Sequence, residues 1–168
     1  MLAKSSAEVT VSLPSDREME FVRIFDYPRD LVFQAWTKPQ HIREWWGCNG
    51  SKITICDIDL RPGGEWRIVM QMADNSEHPF KGKYREIVPN ERLVYSECYD
   101  APQIGRPEWI TTITFDDFEG KTKLTHLILH ASREARDGHL QSGMEPGMVQ
   151  TLRRLDEHLA SMDKFGSR

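Results

Sequence analysis

Residues 27–47 read YPRDLVFQAWTKPQHIREWWG, and this stretch decides most of what the sequence predicts about the fold. It contains three of the five tryptophans, namely Trp36, Trp45 and Trp46. Apolar residues from Val32 onward follow a helical stripe, and Pro39 suits the first position of a second short helix that Gly47 ends. Two short helices cannot bury so much ring surface between themselves. We therefore expect them to cover a curved sheet with a hollow beneath them.

The remaining sequence supplies that sheet. Seven segments show strand composition or period-two alternation: 19–25, 52–60, 64–72, 80–88, 92–99, 109–115 and 123–130. Short turns such as Asp74-Asn75 and Glu119-Gly120 predict that consecutive strands lie side by side. Apolar residues from Met148 to Leu159 recur every three or four positions, which predicts a long amphipathic helix. The fold class is therefore α+β: a curved antiparallel sheet of six to seven strands, two short helices and one long C-terminal helix enclosing a cavity.

Length and composition limit the possible functions. The 168 residues suit one domain, and we expect a flexible N-terminal arm over 1–17, a single domain over 18–163 and a tail over 164–168. The net charge is −4, and no segment is dense in lysine and arginine, so nucleic acid is not an expected partner. No run of about 20 apolar residues is present, so membrane insertion is not expected.

The cysteines and the N-terminus favour a cytoplasmic protein. The three cysteines show no CxxC spacing, and no apolar stretch follows Met1. The sequence also lacks a Ser-His-Asp order, an HExxH motif and a glycine-rich phosphate loop. Neither a metal nor a cofactor is expected.

Several motifs together resemble the START-like (SRPBCC, helix-grip) superfamily. Within it, they are similar to the branch named after the activator of the ninety-kilodalton heat-shock chaperone's ATPase. The matching segments are 27–37, 45–47, 61–64 (RPGG), 82–87, 89–94 and 143–147 (GMEPG). The resemblance covers about residues 19–159 and implies a long helix that grips a bent sheet across a hollow.

The resemblance implies three functions. The first is binding of a small hydrophobic or amphipathic molecule in the hollow. The second is a cyclase- or hydrolase-type enzyme acting on an aromatic or polyketide-like ligand, and the third is an interaction with a chaperone. The sequence has one copy of the domain, without the N-terminal chaperone-binding domain of the eukaryotic co-chaperone, so a chaperone partner is not expected. Self-association is common in this family, so the resemblance is also compatible with a homodimer.

Strand alternation and helix periodicity select the residues expected to line the cavity. Methionines are included because they adapt to irregular ligands, and a few polar groups because small-molecule sites contain them. The predicted cavity residues are Trp45, Trp46, Trp66, Ile68, Met70, Met72, Tyr84, Tyr95, Thr112, Thr114, Met144, Met148 and Leu152. Trp36 is expected to anchor its helix to the sheet, whereas Trp45 and Trp46 are better placed to touch a ligand.

An enzyme would need an ionisable side chain that faces the cavity. The strand candidates are Glu86, Glu97 and His126. His126 and His130 share one face of a strand, but their separation of about 13 Å is too long for a shared metal. We interpret both histidines as facing solvent or the rim of the sheet.

Overall fold

The computed structural model describes residues 8–164. Within them the chain forms eight strands: β1 (Thr10–Ser12), β2 (Glu18–Phe25), β3 (Lys52–Ile58), β4 (Glu65–Gln71), β5 (Glu77–Val88), β6 (Arg92–Tyr99), β7 (Glu108–Phe118) and β8 (Lys121–His130). The helices in the same range are α1 (Arg29–Thr37), α2 (Pro39–Trp45), α3 (Arg133–Gln141) and α4 (Met144–Lys164).

The strands form one antiparallel sheet in the order β1-β2-β8-β7-β6-β5-β4-β3. Strands β3 to β8 follow one another as neighbours, and β2 closes the other side by pairing with β8. Helices α1, α2 and α4 pack together, and α1 also packs on β7 and β8. The hollow of the fold therefore lies between the inner face of the sheet and this group of helices.

Alternation along the strands places every second side chain in the interior. In β7 the inner positions include Thr111, Ile113 and Phe115, which are all buried. α4 contributes its apolar stripe from above through Leu152, Leu155, Leu159 and Met162. The amphipathic pattern of the helix thus meets the inner face of the sheet, as the fold class requires.

The tryptophan stretch forms the corner where α1 meets α2. The rings of Trp36 and Trp45 lie 4.7 Å apart between centroids, and the Trp45 indole N–H donates to the carbonyl oxygen of Ala35 at 2.8 Å. Trp45 is only 1% exposed. Pro39 occupies the first turn of α2, where its missing N–H leaves no helical hydrogen bond unmade. This corner is part of the main core.

Two glycines allow backbone segments to approach closely. A Cβ atom on Gly64 would lie 2.0 Å from the carbonyl oxygen of Asp59, in the turn before β4. A Cβ atom on Gly82 would lie 1.8 Å from the carbonyl oxygen of Ser96 on the neighbouring strand. The indole of Trp66 uses the same space, since its N–H donates to that carbonyl at 3.2 Å. Both positions require glycine.

The predicted α+β class is confirmed, with differences in detail. The sheet has eight strands among the described residues rather than six to seven, because Thr10–Ser12 of the predicted arm pairs with β2. Helix α3 was not predicted. α4 begins at Met144, since Pro146 lies in its first turn, where proline is tolerated. Residues 1–7 of the expected arm and 165–168 of the expected tail lie outside the described residues.

None of the helices in residues 8–164 combines the length and the apolar character that crossing a bilayer requires.

Candidate functional site

The main cavity lies between the inner face of the sheet, the corner of α1 and α2, and the start of α4. Its volume is about 230 Å³. Side chains from strands β4 to β8, from all four helices and from the loop after α2 line it: Trp36, Trp45, Trp46, Gly47, Cys48, Met70, Phe80, Tyr95, Glu97, Trp109, His126, Ile128, His139, Met144, Gly147, Met148, Thr151 and Leu152. Four of the five tryptophans of the chain are among them.

A second, much smaller hollow of about 30 Å³ adjoins the same tryptophan corner. It shares Trp36, Trp45, Trp46, Tyr95 and Glu97 with the main cavity. Its other walls come from Ile42 of α2 and from the sheet beyond, at Ile58, Trp66, Ile68 and Tyr84. A space of this size holds water-sized molecules rather than an organic ligand.

Burial distinguishes the floor of the main cavity from its mouth. Trp36, His126, Ile128 and Leu152 are buried and form the floor. The start of α4 and the loop after α2 contribute half-buried side chains, namely Trp46, Cys48, Met144, Met148 and Thr151. The cavity is therefore most accessible beside the first turns of α4 and is closed toward the sheet.

Glu97 is the acidic side chain of the cavity. It lies on the inner face of β6, and its carboxyl accepts a hydrogen bond from the Thr111 hydroxyl at 3.3 Å. Burial raises the pKa of Glu97 to about 7, although hydrogen bonds from Trp109 and Thr111 act in the opposite direction. The surface that Glu97 keeps accessible faces the two hollows that it lines. Near neutral pH this carboxyl is therefore poised between its neutral and ionised forms.

His126 places an unpartnered imidazole on the cavity floor. The residue is 6% exposed, and neither Nδ1 nor Nε2 has a hydrogen-bond partner among the described residues. Phe21 and Trp36 flank the ring, with centroids at 6.3 and 5.9 Å. Burial, with a smaller contribution from His139, lowers the pKa of His126 to about 3. A neutral imidazole has one donor and one acceptor, and both are unused here.

A second pair of histidines lies beside Trp109. His130 Nε2 and His139 Nδ1 are 2.9 Å apart, and the ring of His139 lies 4.4 Å from that of Trp109 between centroids. Burial, assisted by His130, lowers the pKa of His139 to about 4. These two imidazoles are neutral near pH 7 and form a hydrogen bond with each other.

The expectation that His126 and His130 face solvent or the rim is therefore wrong. Both are buried, because positions 124, 126, 128 and 130 of β8 all point to the inner face. Leu124 and Ile128, which share that face, belong to the core. Within the described residues, no three His, Cys, Asp or Glu side chains meet in a way that could hold a metal ion.

Hydrogen bonds fix the loop after α2 to α4 at the mouth of the cavity. Arg154 Nη1 donates to the carbonyl oxygens of Gly47 and Cys48, each at 2.8 Å. The Thr151 hydroxyl lies 3.0 Å from the same Gly47 oxygen and 2.8 Å from the carbonyl oxygen of Gly147 in its own helix. The main-chain N–H of Asn49 donates to the side-chain oxygen of Gln150 at 3.0 Å. We call residues 47–51 with these partners the mouth clasp. It determines how far the loop stands from the helix.

The structure brings together ten of the thirteen predicted cavity residues. Seven line the main cavity: Trp45, Trp46, Met70, Tyr95, Met144, Met148 and Leu152. Three line only the small hollow: Trp66, Ile68 and Tyr84. Whether any of them binds a ligand stays a prediction.

Three predicted residues lie elsewhere. The placement of Thr112 and Thr114 in the cavity is wrong, because the inner face of β7 carries Thr111 and Ile113 and the two threonines point outward. Met72 lies just beyond the end of β4, where its sulfur contacts the Cys48 thiol at 3.7 Å. It borders the mouth without lining the cavity.

Several lining residues escaped the prediction. Trp36, expected only to anchor its helix, also forms part of the floor. Among the three candidate ionisable groups, Glu97 and His126 line the cavity, whereas Glu86 is exposed and pairs with Arg92 at 2.6 Å. His139 lies on α3, a helix that no sequence pattern had indicated.

Comparisons with known proteins agree with this architecture. The family model described as Activator of Hsp90 ATPase homolog 1-like protein matches residues 26–160. No curated protein matches the chain.

Solved structures with the same fold cover nearly the whole chain. A protein of Rhodobacter sphaeroides is 28% identical, with a TM-score of 0.84 over 92% of this chain and 99% of that chain. A protein of Nitrosomonas europaea is 24% identical, with a TM-score of 0.81 over 90% and 99%. The AHSA1 protein of Silicibacter pomeroyi is 18% identical, with a TM-score of 0.71 over 85% and 97%. The last two likenesses concern the fold alone.

Proposed function

The chain belongs to the Activator of Hsp90 ATPase homolog 1-like protein family, and we propose that it binds a small hydrophobic or amphipathic molecule in the cavity between the sheet and α4. The observation that carries the proposal is the cavity itself: about 230 Å³, mostly apolar walls, and a few polar groups, such as Glu97 and His126, on the inner face of the sheet. Small-molecule sites have this composition. Since this volume lies below the range of roughly 300 to 1,000 Å³ that is usual for such sites, a ligand with one or two rings fits best.

The mouth and the floor support a binding role in different ways. Methionines such as Met144 and Met148 at the mouth adapt to molecules of varied shape. At the floor, the unused nitrogens of His126 offer hydrogen bonds that the protein alone does not make. An unsatisfied buried polar group costs free energy, and a ligand that bonds to it removes that cost.

Thermal unfolding tests the proposal, because a ligand that binds only the folded state raises its stability. The protein is titrated with a panel of one- and two-ring aromatic compounds and short-chain lipids while the melting temperature and tryptophan fluorescence are recorded. We expect at least one compound class to raise the melting temperature and to change the fluorescence, since four tryptophans line the cavity.

A pair of variants on α4 supplies the control. Met148→Trp places a large ring in the mouth and should abolish the thermal shift. Val149→Trp adds the same ring at the next position, which is exposed, and should leave the shift intact. The proposal fails if no compound stabilises the protein, or if Met148→Trp binds as well as the wild type.

Glu97 and His126 favour one alternative, an enzyme of the cyclase or hydrolase type acting on an aromatic or polyketide-like ligand. Such an enzyme needs an ionisable group that faces the cavity, and the pKa of about 7 for Glu97 suits a general acid or base at neutral pH. Turnover of a bound compound that Glu97→Gln abolishes without loss of binding would support the enzyme over the binding module. The cytoplasmic location stays a prediction.

A further inference from the structure

We propose that the cavity selects an organic cation: an aromatic amine whose ammonium group lies at Glu97 and whose rings lie among the tryptophans. This inference rests on the proposed function, since it names the class of molecule that the cavity takes. It depends on the charge of the site, on the hydrogen bonds around the carboxyl and on the aromatic walls.

The first observation is a carboxyl without a cation. No lysine or arginine lines the main cavity, and none of the described ones forms an ion pair with Glu97. The other titratable side chains that face this space are Tyr95, His126, His139 and Cys48. Both histidines are neutral near pH 7, because burial lowers the pKa of each. Among the lining residues that the structure describes, the charge available near neutral pH is therefore negative and comes from Glu97.

The second observation is that the hydrogen bonds around the carboxyl support its ionised form. Thr111 donates a hydrogen bond to it at 3.3 Å. Trp109 lies opposite Glu97 in the sheet register, where its indole N–H also lowers the pKa of the carboxyl. Donors of this kind favour a carboxylate, whereas enclosure by apolar groups opposes it. A nearby cation would tip this balance toward the ionised form, because an opposite charge at close range stabilises a carboxylate. Glu97 thus provides an enclosed carboxyl and hydrogen bonds that support its ionised form. The remaining component of an ion pair, the cation, would come from the ligand.

The third observation is the ring surface beside the carboxyl. Tyr95 and Trp109 neighbour Glu97 on the inner face, and Trp36, Trp46 and Phe80 also line the cavity. Aromatic faces carry partial negative charge and attract ammonium groups. An anionic ligand such as a fatty acid would instead meet these faces and Glu97, because the guanidinium at the mouth, Arg154, already bonds to the carbonyl oxygens of Gly47 and Cys48. The walls therefore reject anions and attract amines of suitable size.

His126 has a separate role in this arrangement. In the sheet register, Glu97 lies opposite Trp109, which lies opposite His130, and His126 is four residues further along β8. Two strand spacings and four residues separate the two groups, so one nitrogen atom cannot contact both. The imidazole is thus placed for a neutral donor or acceptor at the far end of the ligand.

Three compounds with one ring skeleton test the inference: 2-naphthylmethylamine, 2-naphthylmethanol and 2-naphthoate. Their dissociation constants for the wild type are measured at pH 8 by tryptophan fluorescence and calorimetry. We expect the amine to bind at least tenfold more tightly than the alcohol, and the naphthoate to bind most weakly. Glu97→Gln should reduce the affinity for the amine at least tenfold and leave the alcohol unchanged. At pH 6, where Glu97 takes up a proton, the affinity for the amine should fall, whereas the affinities for the other two compounds should not.

Glu86→Gln is the matched control, since it removes an exposed carboxyl on β5 by the same change and should alter none of the three affinities. The inference is overturned if the alcohol or the naphthoate binds as tightly as the amine, or if Glu97→Gln keeps the preference. If the alcohol or the naphthoate binds as tightly as the amine, but Met148→Trp abolishes that binding, the proposed function remains supported and only the preference for a cation is excluded. Failure of all three compounds and of the wider panel would overturn both.

Discussion

The guanidinium of Arg23 donates a hydrogen bond from Nη1 to the main-chain carbonyl oxygen of Leu152, 3.0 Å away. Arg23 belongs to β2 and is 3% exposed, and its Nη2 lies 3.4 Å from the Asp156 carboxylate. Its guanidinium carbon also lies 4.7 Å from the centre of the Phe25 ring. One buried cation thus joins a strand to the middle of α4, the helix that closes the cavity, and fixes the helix over the sheet.

Substitution of Arg23 should therefore destabilise the protein. Arg23→Ala removes both contacts to α4 and leaves a void, and we expect the free energy of unfolding to fall by about 2 to 4 kcal/mol. Arg23→Met keeps the apolar volume of the stem without a charge to desolvate, and should cost less. Urea denaturation of both variants measures the difference. An equal loss in the two would show that the charge, rather than the packing, dominates.

The raised pKa of Glu97 predicts how stability depends on pH. Between about pH 4.5 and 7 the folded state keeps a proton on Glu97 that the unfolded state has released. Stability must therefore fall as pH rises through this window, by about 3 kcal/mol in all. Glu97→Gln cannot ionise and should remove this component. Denaturation midpoints of both proteins at pH 5 and pH 8 provide the check. Relative to the wild type, Glu97→Gln should be more stable at pH 8 than it is at pH 5. If the difference between the two proteins is the same at both pH values, Glu97 does not ionise in this range.

The lowered pKa of His126 predicts a pH dependence of stability with the opposite sign to that of Glu97. The pKa of His126 is lowered to about 3, so the unfolded state binds more protons than the folded state between that value and about pH 6.5. The stability from this site is present above pH 6.5 and is lost as pH falls, by about 1.4 kcal/mol per unit. His126→Phe should remove that loss.

His126→Phe should also stabilise the protein at pH 8, by about 1 to 2 kcal/mol, because it eliminates two unsatisfied buried nitrogens beside Phe21 and Trp36. The two effects separate in a pH series of thermal unfolding curves. A variant that is less stable than the wild type at both pH 5 and pH 8 would mean that the imidazole nitrogens form hydrogen bonds within the folded protein. His126 would then have no free nitrogen to offer a ligand.

Sequence patterns predicted the fold well where packing alone sets the structure. The tryptophan corner and the strand alternation required a sheet covered by helices, and the structure has both. β1 was missed because three residues, Thr10–Ser12, have no pattern of their own and depend on pairing with β2. α3 was missed for a similar reason: Arg136 is its buried residue, and the Ser132 hydroxyl that accepts the Ala135 amide at 3.0 Å defines its start.

The site was harder to predict than the fold. For β7 the predicted face is wrong: Ile113 and Phe115 are the apolar positions that indicate the inner face, and Thr111, which shares their parity, lies on that face with them. The same parity rule applied to β8 would have placed His126 with Leu124 and Ile128. In contrast, no sequence pattern brings His139 to Trp109, since that contact depends on how α3 turns back over the sheet. Strand parity thus predicts orientation, and contacts between distant segments require the folded chain.

The two glycines before β4 should respond differently to alanine. Gly64→Ala would drive a Cβ atom into the backbone oxygen of Asp59, and only a backbone shift can relieve the clash. We expect a loss of about 3 kcal/mol or more. Gly63 has a φ of +83° but open space around it, so Gly63→Ala should cost only about 1 kcal/mol. Thermal unfolding of the pair distinguishes a steric requirement from a conformational one, and equal costs would contradict the close approach at Gly64.

The mouth clasp should control the motion of the loop at the cavity entrance. Arg154 is half-buried and bonds to the carbonyl oxygens of Gly47 and Cys48, whereas Arg153, its neighbour on α4, is exposed. Arg154→Ala removes two charge-assisted hydrogen bonds, each worth about 1.5 to 3 kcal/mol. Local opening of residues 47–51 should then become at least tenfold more frequent, while the strands keep their protection. Amide hydrogen exchange measures this directly, with Arg153→Ala as the control. Equal protection of the loop in both variants would mean that Thr151 and Gln150 hold it without the arginine, and that the entrance is set by the helix position alone.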